Sequence, residues 1–162
     1  MTRAYIGLGS NLGHPETQLT NALQALAELP STALVAISSF YRSQPLGPQN
    51  QPQYINAVAL LETSLAPREL LDKMLDIEQR QGRLRDGRRW QARTLDLDML
   101  LYGDQRLEMD ELMVPHPEIP KRNFVLCPLA EITQDLHIPG MGRVMDLLAA
   151  VGTDGLERID RS

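Results

Sequence analysis

Apolar and polar positions along the chain alternate with two different periods, and the switches between them outline the fold. Residues 3 to 9, RAYIGLG, read as a short strand, and a turn rich in Ser10, Asn11, Gly13 and Pro15 follows. In ETQLTNALQALAEL the apolar residues Leu19, Ala22, Leu23, Leu26 and Leu29 recur at helical spacing, with Pro15 suited to a first turn and Pro30 to a stop. Residues 33 to 42 and 54 to 63 read as two further strands across the proline- and glutamine-rich stretch SQPLGPQNQPQ. Leu70, Leu71, Met74 and Ile77 predict a second helix from Pro67 to Gln81, ended by Gly82. The last strong signal is a strand over 94–102, where Leu95, Leu97, Met99 and Leu101 fall on one face and Asp96, Asp98, Leu100 and Tyr102 on the other.

The resulting order, βαββαβ over residues 3 to 102, is the α+β plan of a ferredoxin-like fold, an antiparallel sheet with helices packed on one face. Beyond Gly103 the prolines at 115, 117, 120 and 128 predict mostly loop with short helical turns, and RVMDLLAAV suits a short amphipathic helix. Residues 103 to 162 would decorate the core of a single domain, 1–162. The 162 residues suffice for a real core, and 43% apolar and 23% charged residues are ordinary globular values. Cys127 stands alone in FVLCPL, so no intrachain disulfide forms and a small buried hydrophobe is the default reading. The N-terminus lacks a signal-peptide core and no run of about 18 apolar residues could cross a membrane, so a cytoplasmic protein without membrane partners is expected.

The charge pattern changes this plain picture. Net charge is −5 and the sequence pI is about 5.2, a poor footprint for coating nucleic acid. Yet RQGRLRDGRRWQAR, residues 80 to 93, carries arginines at 80, 83, 85, 88, 89 and 93 against the one acid Asp86, and leads straight into Asp96 and Asp98. Two like charges about 7 Å apart on one strand face destabilise each other unless a cation, donors or water compensate. Spacing alone leaves open both a solvent-exposed face and a Mg²⁺ site, since Mg²⁺ usually takes one or two carboxylates and completes its shell with water and phosphates. The arginines favour the metal, because guanidinium forks around phosphate oxygens beside aspartate-held Mg²⁺ are recurring parts of phosphoryl transfer. No G-x-x-x-x-G-K-[ST] is present, and GLGSNLG at 7–13 misses G-x-G-x-x-G by spacing, so a tight strand-to-helix connection is its better reading.

Four ordered segments carry a resemblance: AYIGLGSNLG, SSFYRSQPLGPQNQPQYINA, GRLRDGRRWQARTLDLDMLLYG and VPHPEIPKRNFVLCPLAEI. Together they resemble the 6-hydroxymethyl-7,8-dihydropterin pyrophosphokinases of folate biosynthesis over nearly the whole chain. The resemblance implies transfer of the pyrophosphoryl group of ATP to the pterin hydroxymethyl, with release of AMP. It implies two Mg²⁺ ions on Asp96 and Asp98, with Arg83, Arg93 and the two aspartates as the catalytic set. ATP would meet Glu78, Arg83, Arg85, Trp90, Arg93, Met99, His116 and Arg122. The pterin would lie between Tyr54 and Phe124, with its edge read by Asn56 and by main chain near Ser43 and Leu46, beside Asp96, and with Trp90 in a lid over both substrates. A monomer acting on ATP and pterin is expected, and the acidic pI speaks against a nucleic acid partner. Glu111, Met113 and Leu75 depart from the basic, hydroxyl and polar side chains of enterobacterial relatives near the nucleotide. Two other classes stay open on residues alone: a ferredoxin-like RNA-binding module, which would leave the aspartates idle, and a kinase transferring only the γ-phosphate.

Overall fold

The structure is a computed structural model that describes residues 1–11, 14–43, 54–82 and 95–159. Strand β1 (Thr2–Ser10) lies between β4 (Tyr54–Thr63) and β5 (Asp96–Tyr102), antiparallel to both. The 33–42 segment, expected as one strand, is two: β2 (Thr32–Ile37) pairs with Ala59–Thr63, and β3 (Phe40–Ser43) pairs with Tyr54–Asn56. Between them Ser38 turns its hydroxyl to the strand it would otherwise pair, accepting from Val58 N–H at 2.9 Å, while Ser38 N–H donates to the Val58 carbonyl at 2.9 Å. A side chain thus substitutes for a ladder bond and the strand breaks there. The order of the resulting sheet, outer strand to outer strand, ends on β5, with β2 and β3 sharing the far side of β4.

Period two sorts the sheet into two faces. Ala4, Ile6 and Leu8 of β1 and Ile55, Ala57, Ala59 and Leu61 of β4 point one way, onto α1 (Pro15–Ala27) and α2 (Pro67–Ile77). Those helices return Leu19, Ala22, Leu23 and Leu26, and Leu70, Leu71, Met74 and Ile77, all buried as the helical spacing predicts. Pro67 begins α2, and the Glu69 carboxylate accepts from Ala66 N–H at 3.0 Å, satisfying a donor the helix start leaves open. After α2 the chain widens into a π turn, Glu78–Gly82.

The opposite face is covered as well, which the expectation of helices on one face did not anticipate. Tyr5, Val58, Leu60, Leu100 and Leu101 pack against α3 (Asn123–Ile132), with Val144 of α4 (Val144–Val151) in the same cluster. The stretch beyond Gly103 is therefore more regular than loop. It forms the hairpin β6 (Leu107–Met109) and β7 (Leu112–Val114), a 3-10 turn at Ile119–Lys121, α3, and the short pair β8 (His137–Ile138) and β9 (Gly142–Arg143). After α4, β10 (Leu156–Ile159) pairs antiparallel with β3. Pro128 sits inside α3, where it lacks the N–H that would have reached the Phe124 carbonyl and its ring crowds that carbonyl. Tyr5 Oη and Thr133 Oγ1, 2.7 Å apart, tie the end of α3 to β1. Cys127 is only partly buried.

One bulge corrects the face assignment of β5. The β1–β5 register pairs Ile6 with Met99 but Tyr5 with Leu101, so Leu100 is an extra residue. Leu95, Leu97 and Met99 face α1 and α2 as expected, but beyond the bulge Tyr102 takes that face and Leu101 turns to the α3 side. Asp96 and Asp98 precede the bulge and keep the shared face that alternation gives them. Among the described residues no helix is long and apolar enough to cross a membrane.

Candidate active site

The face under α3 is apolar at one end and polar at the other. Going along β1 it reads Tyr5, Gly7, Gly9; along β4, Leu60, Val58, Asn56, Tyr54; along β5, Leu101, then Asp98 and Asp96. Helix α3 covers the first half. The second half floors a cleft of about 790 Å³, walled across from the sheet by Glu118, Lys121, Arg122, Asn123 and Phe124 and at one side by Asp154 and Gly155.

Gly7 lies opposite Asp98 and Gly9 opposite both Asp96 and Asn56, so the central strand presents no side chain between the two acids and the amide. A Cβ on Gly9 would come 3.0 Å from Asn56 Oδ1, and one on Gly7 would come 3.4 Å from Leu100 Cδ2. The glycines are therefore strand residues that keep the cleft floor bare, and the reading of GLGSNLG as a connection alone is corrected for Gly7 and Gly9. Glycine in a strand interior is the signal for such an approach, and it stood in the sequence.

Asp96 and Asp98 are half-buried side chains lining the cleft together. Asn56, 6% exposed, donates from Nδ2 to Ser43 Oγ at 2.8 Å, which fixes the amide and turns Oδ1 over Gly9. Tyr54 and Phe124 line the same cleft from the sheet and from α3, and the Arg122 guanidinium lies 5.7 Å from the centre of the Phe124 ring. The chain thus brings Ser43, Tyr54, Asn56, Asp96, Asp98, Arg122 and Phe124 to one place from four separate segments.

His116 stands at the edge of β5, where its N–H donates to the Leu100 carbonyl at 2.9 Å and its Nδ1 accepts from Glu118 N–H at 3.2 Å. Burial lowers its pKa, and the Arg122 charge adds to this, while Asp98 and Glu118 pull the other way without winning. It is held neutral at pH 7, close enough to feel the charge of Asp98.

His116 does not itself line the cleft, nor do Glu78 and Met99, also assigned by resemblance. Glu78, 6% exposed in the π turn, accepts from Leu97 N–H at 2.7 Å and so satisfies the open edge of β5. The Met99 side chain is buried against α1 and α2, leaving its main chain for any contact at that edge. Leu75 on α2, and Glu111 and Met113 on the β6–β7 hairpin, are all exposed. Leu46, Arg83, Arg85, Trp90 and Arg93 fall outside the described residues. Lys121, Asn123, Asp154 and Gly155 are cleft residues that the sequence did not single out. Lys121 and Asn123 flank the Arg122 already chosen, whereas Asp154 and Gly155 gave no signal at all.

The model of the 7,8-dihydro-6-hydroxymethylpterin-pyrophosphokinase family matches residues 5–134. Among curated relatives, the 2-amino-4-hydroxy-6-hydroxymethyldihydropteridine pyrophosphokinase of Pseudomonas aeruginosa is 50% identical over 157 residues, covering 97% of this chain and 96% of its own. That of Haemophilus influenzae is 51% identical over 148 residues, covering 91% and 92%. Among solved structures, wild-type HPPK-DHPS of Plasmodium falciparum with pteroate superposes with a TM-score of 0.76 at 13% identity, over 98% of this chain and 46% of that one. The chain spans about half the length of that protein, and at such identity the likeness bears on the fold alone. With the matched segment reaching from β1 to the end of α3 and half of all aligned positions shared with a relative of equal extent, the chain belongs to the 7,8-dihydro-6-hydroxymethylpterin-pyrophosphokinase family.

Proposed function

We propose that the cleft over Gly7 and Gly9 is where this pyrophosphokinase works, with Mg²⁺ on Asp96 and Asp98 and the pterin between Tyr54 and Phe124. The reaction is the family's: the pyrophosphoryl group of ATP passes to the hydroxymethyl group of hydroxymethyldihydropterin in folate biosynthesis. The hydroxyl oxygen loses its proton to solvent and forms a bond to the β-phosphorus, the bond from that phosphorus to the α-phosphate oxygen breaks, and AMP leaves with the electron pair.

The observation that carries the assignment is the placement of two carboxylates and an anchored amide on either side of a strand whose residues between them, Gly7 and Gly9, are glycines. Asn56 Oδ1 is a fixed acceptor for the donor edge of a pterin, and the Tyr54 and Phe124 rings offer stacking surfaces to its faces. The donor set suits Mg²⁺. Among the described residues no group of three or more His, Cys, Asp or Glu could cage an ion, so two hard carboxylates facing an open cleft leave the remaining positions to phosphate and water. Asp96 and Asp98 would hold Mg²⁺, two ions in the form proposed here, which would neutralise phosphate charge when bound. Lys121 and Arg122 bring positive charge to the opposite wall of the cleft, and His116, its pKa lowered by burial, adds little charge beside Asp98. Arg83, Arg85, Arg93 and Trp90 complete the ATP site and its lid in this reading, as do Ser43 and Leu46 the pterin edge. One domain, a monomer and the cytoplasm complete the proposal.

The experiment is product analysis. Purified protein with ATP, Mg²⁺ and 6-hydroxymethyl-7,8-dihydropterin yields AMP, and omission of either pterin or Mg²⁺ abolishes it. ADP as the sole product would instead assign a γ-phosphate kinase.

A further inference from the structure

The C-terminal segment lies beyond the residues that match the family model, yet it reaches the cleft. The turn residues Asp154 and Gly155 line it directly. Three sets of contacts hold them there. Strand β10 pairs with β3 from Leu156 opposite Ser43 to Ile159 opposite Phe40, so the turn emerges at the residue whose hydroxyl anchors Asn56. Asn123 Nδ2, at the start of α3, donates to the Asp154 carbonyl at 3.0 Å. Ion pairs flank the strand: Arg42 Nη1 with Glu157 Oε1 at 2.7 Å, and Arg158 Nη2 with Glu131 Oε2 at 3.5 Å.

Glu131 joins this strand to the rest of the site. From α3 its carboxylate accepts from Ser39 N–H at 3.0 and 2.9 Å, from Ser39 Oγ at 2.8 Å and from Tyr41 Oη at 2.6 Å, and it receives Arg158 from β10. The two walls that would hold the pterin, β3 and β4 on one side and the first turn of α3 on the other, are thus connected at both ends. Glu131 connects them at the back, and the Asp154–Gly155 turn connects them at the cleft itself.

We propose that the segment Asp154–Ile159 is a positioning element for the pterin half of the cleft, its turn forming a wall and its strand setting the spacing between the Ser43–Asn56 pair and Phe124. This rests on the assignment of that half to the pterin. Arg42 and Glu157 do not line the cleft, so they can shift the strand without touching a substrate.

The test uses the full chain and steady-state kinetics in both substrates. Glu157→Arg sets two arginines against each other across β3 and β10, and Glu157→Arg with Arg158→Glu adds repulsion at Glu131. Each raises the pterin KM, the double variant by roughly fivefold or more, while the ATP KM stays within about twofold, because loosened positioning weakens one substrate's binding and not the other's. The charge swap Arg42→Glu with Glu157→Arg restores the pterin KM. Equal change in both KM values, no change in the double variant, or no recovery in the swap overturns the proposal. Failure of the parent chain to form AMP with the pterin would instead overturn the assignment of the cleft, a result separate from all of these.

Discussion

Asp98 stands directly opposite Gly7 across the β1–β5 ladder, and Gly9 separates Asp96 from Asn56 in the same way. Cross-strand partners point to one side of a sheet, so each glycine leaves a gap next to a group that must reach a substrate. The substitution Gly9→Ala puts a methyl group 3.0 Å from Asn56 Oδ1, tighter than most such contacts, and the amide must give by a few tenths of an ångström. A displaced reader of the pterin edge raises the pterin KM by about tenfold. Gly7→Ala meets only the flexible end of Leu100 at 3.4 Å, and its methyl sits beside Asp98 instead. It lowers kcat more than it raises the pterin KM. Steady-state kinetics on the two variants separate these outcomes, and identical profiles would refute the division of the cleft.

In the proposed function Asp98 serves the reaction rather than the binding of the pterin. Asp98→Ala removes one of two carboxylates; metal charge stabilisation worth several kcal/mol corresponds to a loss of about 10²- to 10³-fold in kcat at 1.36 kcal/mol per tenfold. Pterin affinity, measured by titration without nucleotide, changes by less than about threefold. Chelation of Mg²⁺ abolishes AMP formation in the parent and makes the two proteins alike. Unaltered turnover in the variant would exclude a metal role for this residue.

The parts of this fold that the sequence discloses are those with an unbroken period. Helices α1 and α2 present their buried stripes at the spacing read from the chain, and β4 runs over the residues expected of it. The misses have physical causes. The bulge at Leu100 reverses alternation within one strand, and only the adjacent pair of leucines hints at it. Ser38 breaks a strand by a side-chain bond that needs Val58, twenty residues away, to be visible. Pro128 masks α3, because a proline counts against a helix interior by its missing N–H and its ring, and only the packing of the surrounding residues shows that the helix runs through it. For the site, the aspartate pair shows itself by its misfit in an apolar strand. Asp154 and Gly155 become cleft residues only through the pairing of β10 with β3, which four residues of weak alternation cannot announce.

Phe124 is the one aromatic ring that α3 offers to the cleft, and Arg122 rests over it. Stacking of a flat heteroaromatic ring on a side chain is worth about 1–3 kcal/mol. Phe124→Ala therefore weakens pterin binding by about tenfold or more in calorimetric titration, at roughly 1.4 kcal/mol per tenfold. Phe124→Tyr keeps the ring and the affinity. An alanine variant that binds pterin as the parent does would place the ring's partner elsewhere.

Glu131 gives the fold a pH dependence whose sign follows from its contacts. Burial opposes its charge, but donation from Tyr41 and Ser39 and the Arg158 charge outweigh that, and the carboxyl is held below its ordinary 4.5. The same bond, together with burial as the larger cause, pushes the Tyr41 hydroxyl up, so it remains a donor throughout the working range. A carboxyl with a depressed folded pKa contributes its stabilisation fully above the unfolded value and loses it as pH falls through the folded one. Replacement by glutamine removes charge-assisted hydrogen bonds and costs about 1–2 kcal/mol at pH 7. In urea unfolding across pH, the gap between parent and Glu131→Gln is constant near neutral pH, narrows as pH falls past the ordinary 4.5, where the unfolded chain takes up its proton, and closes once pH has fallen through the lower folded value, where the parent's carboxylate is protonated as well. A gap that persists unchanged at pH 3 would mean that shape, not charge, makes the connection between α3 and β3.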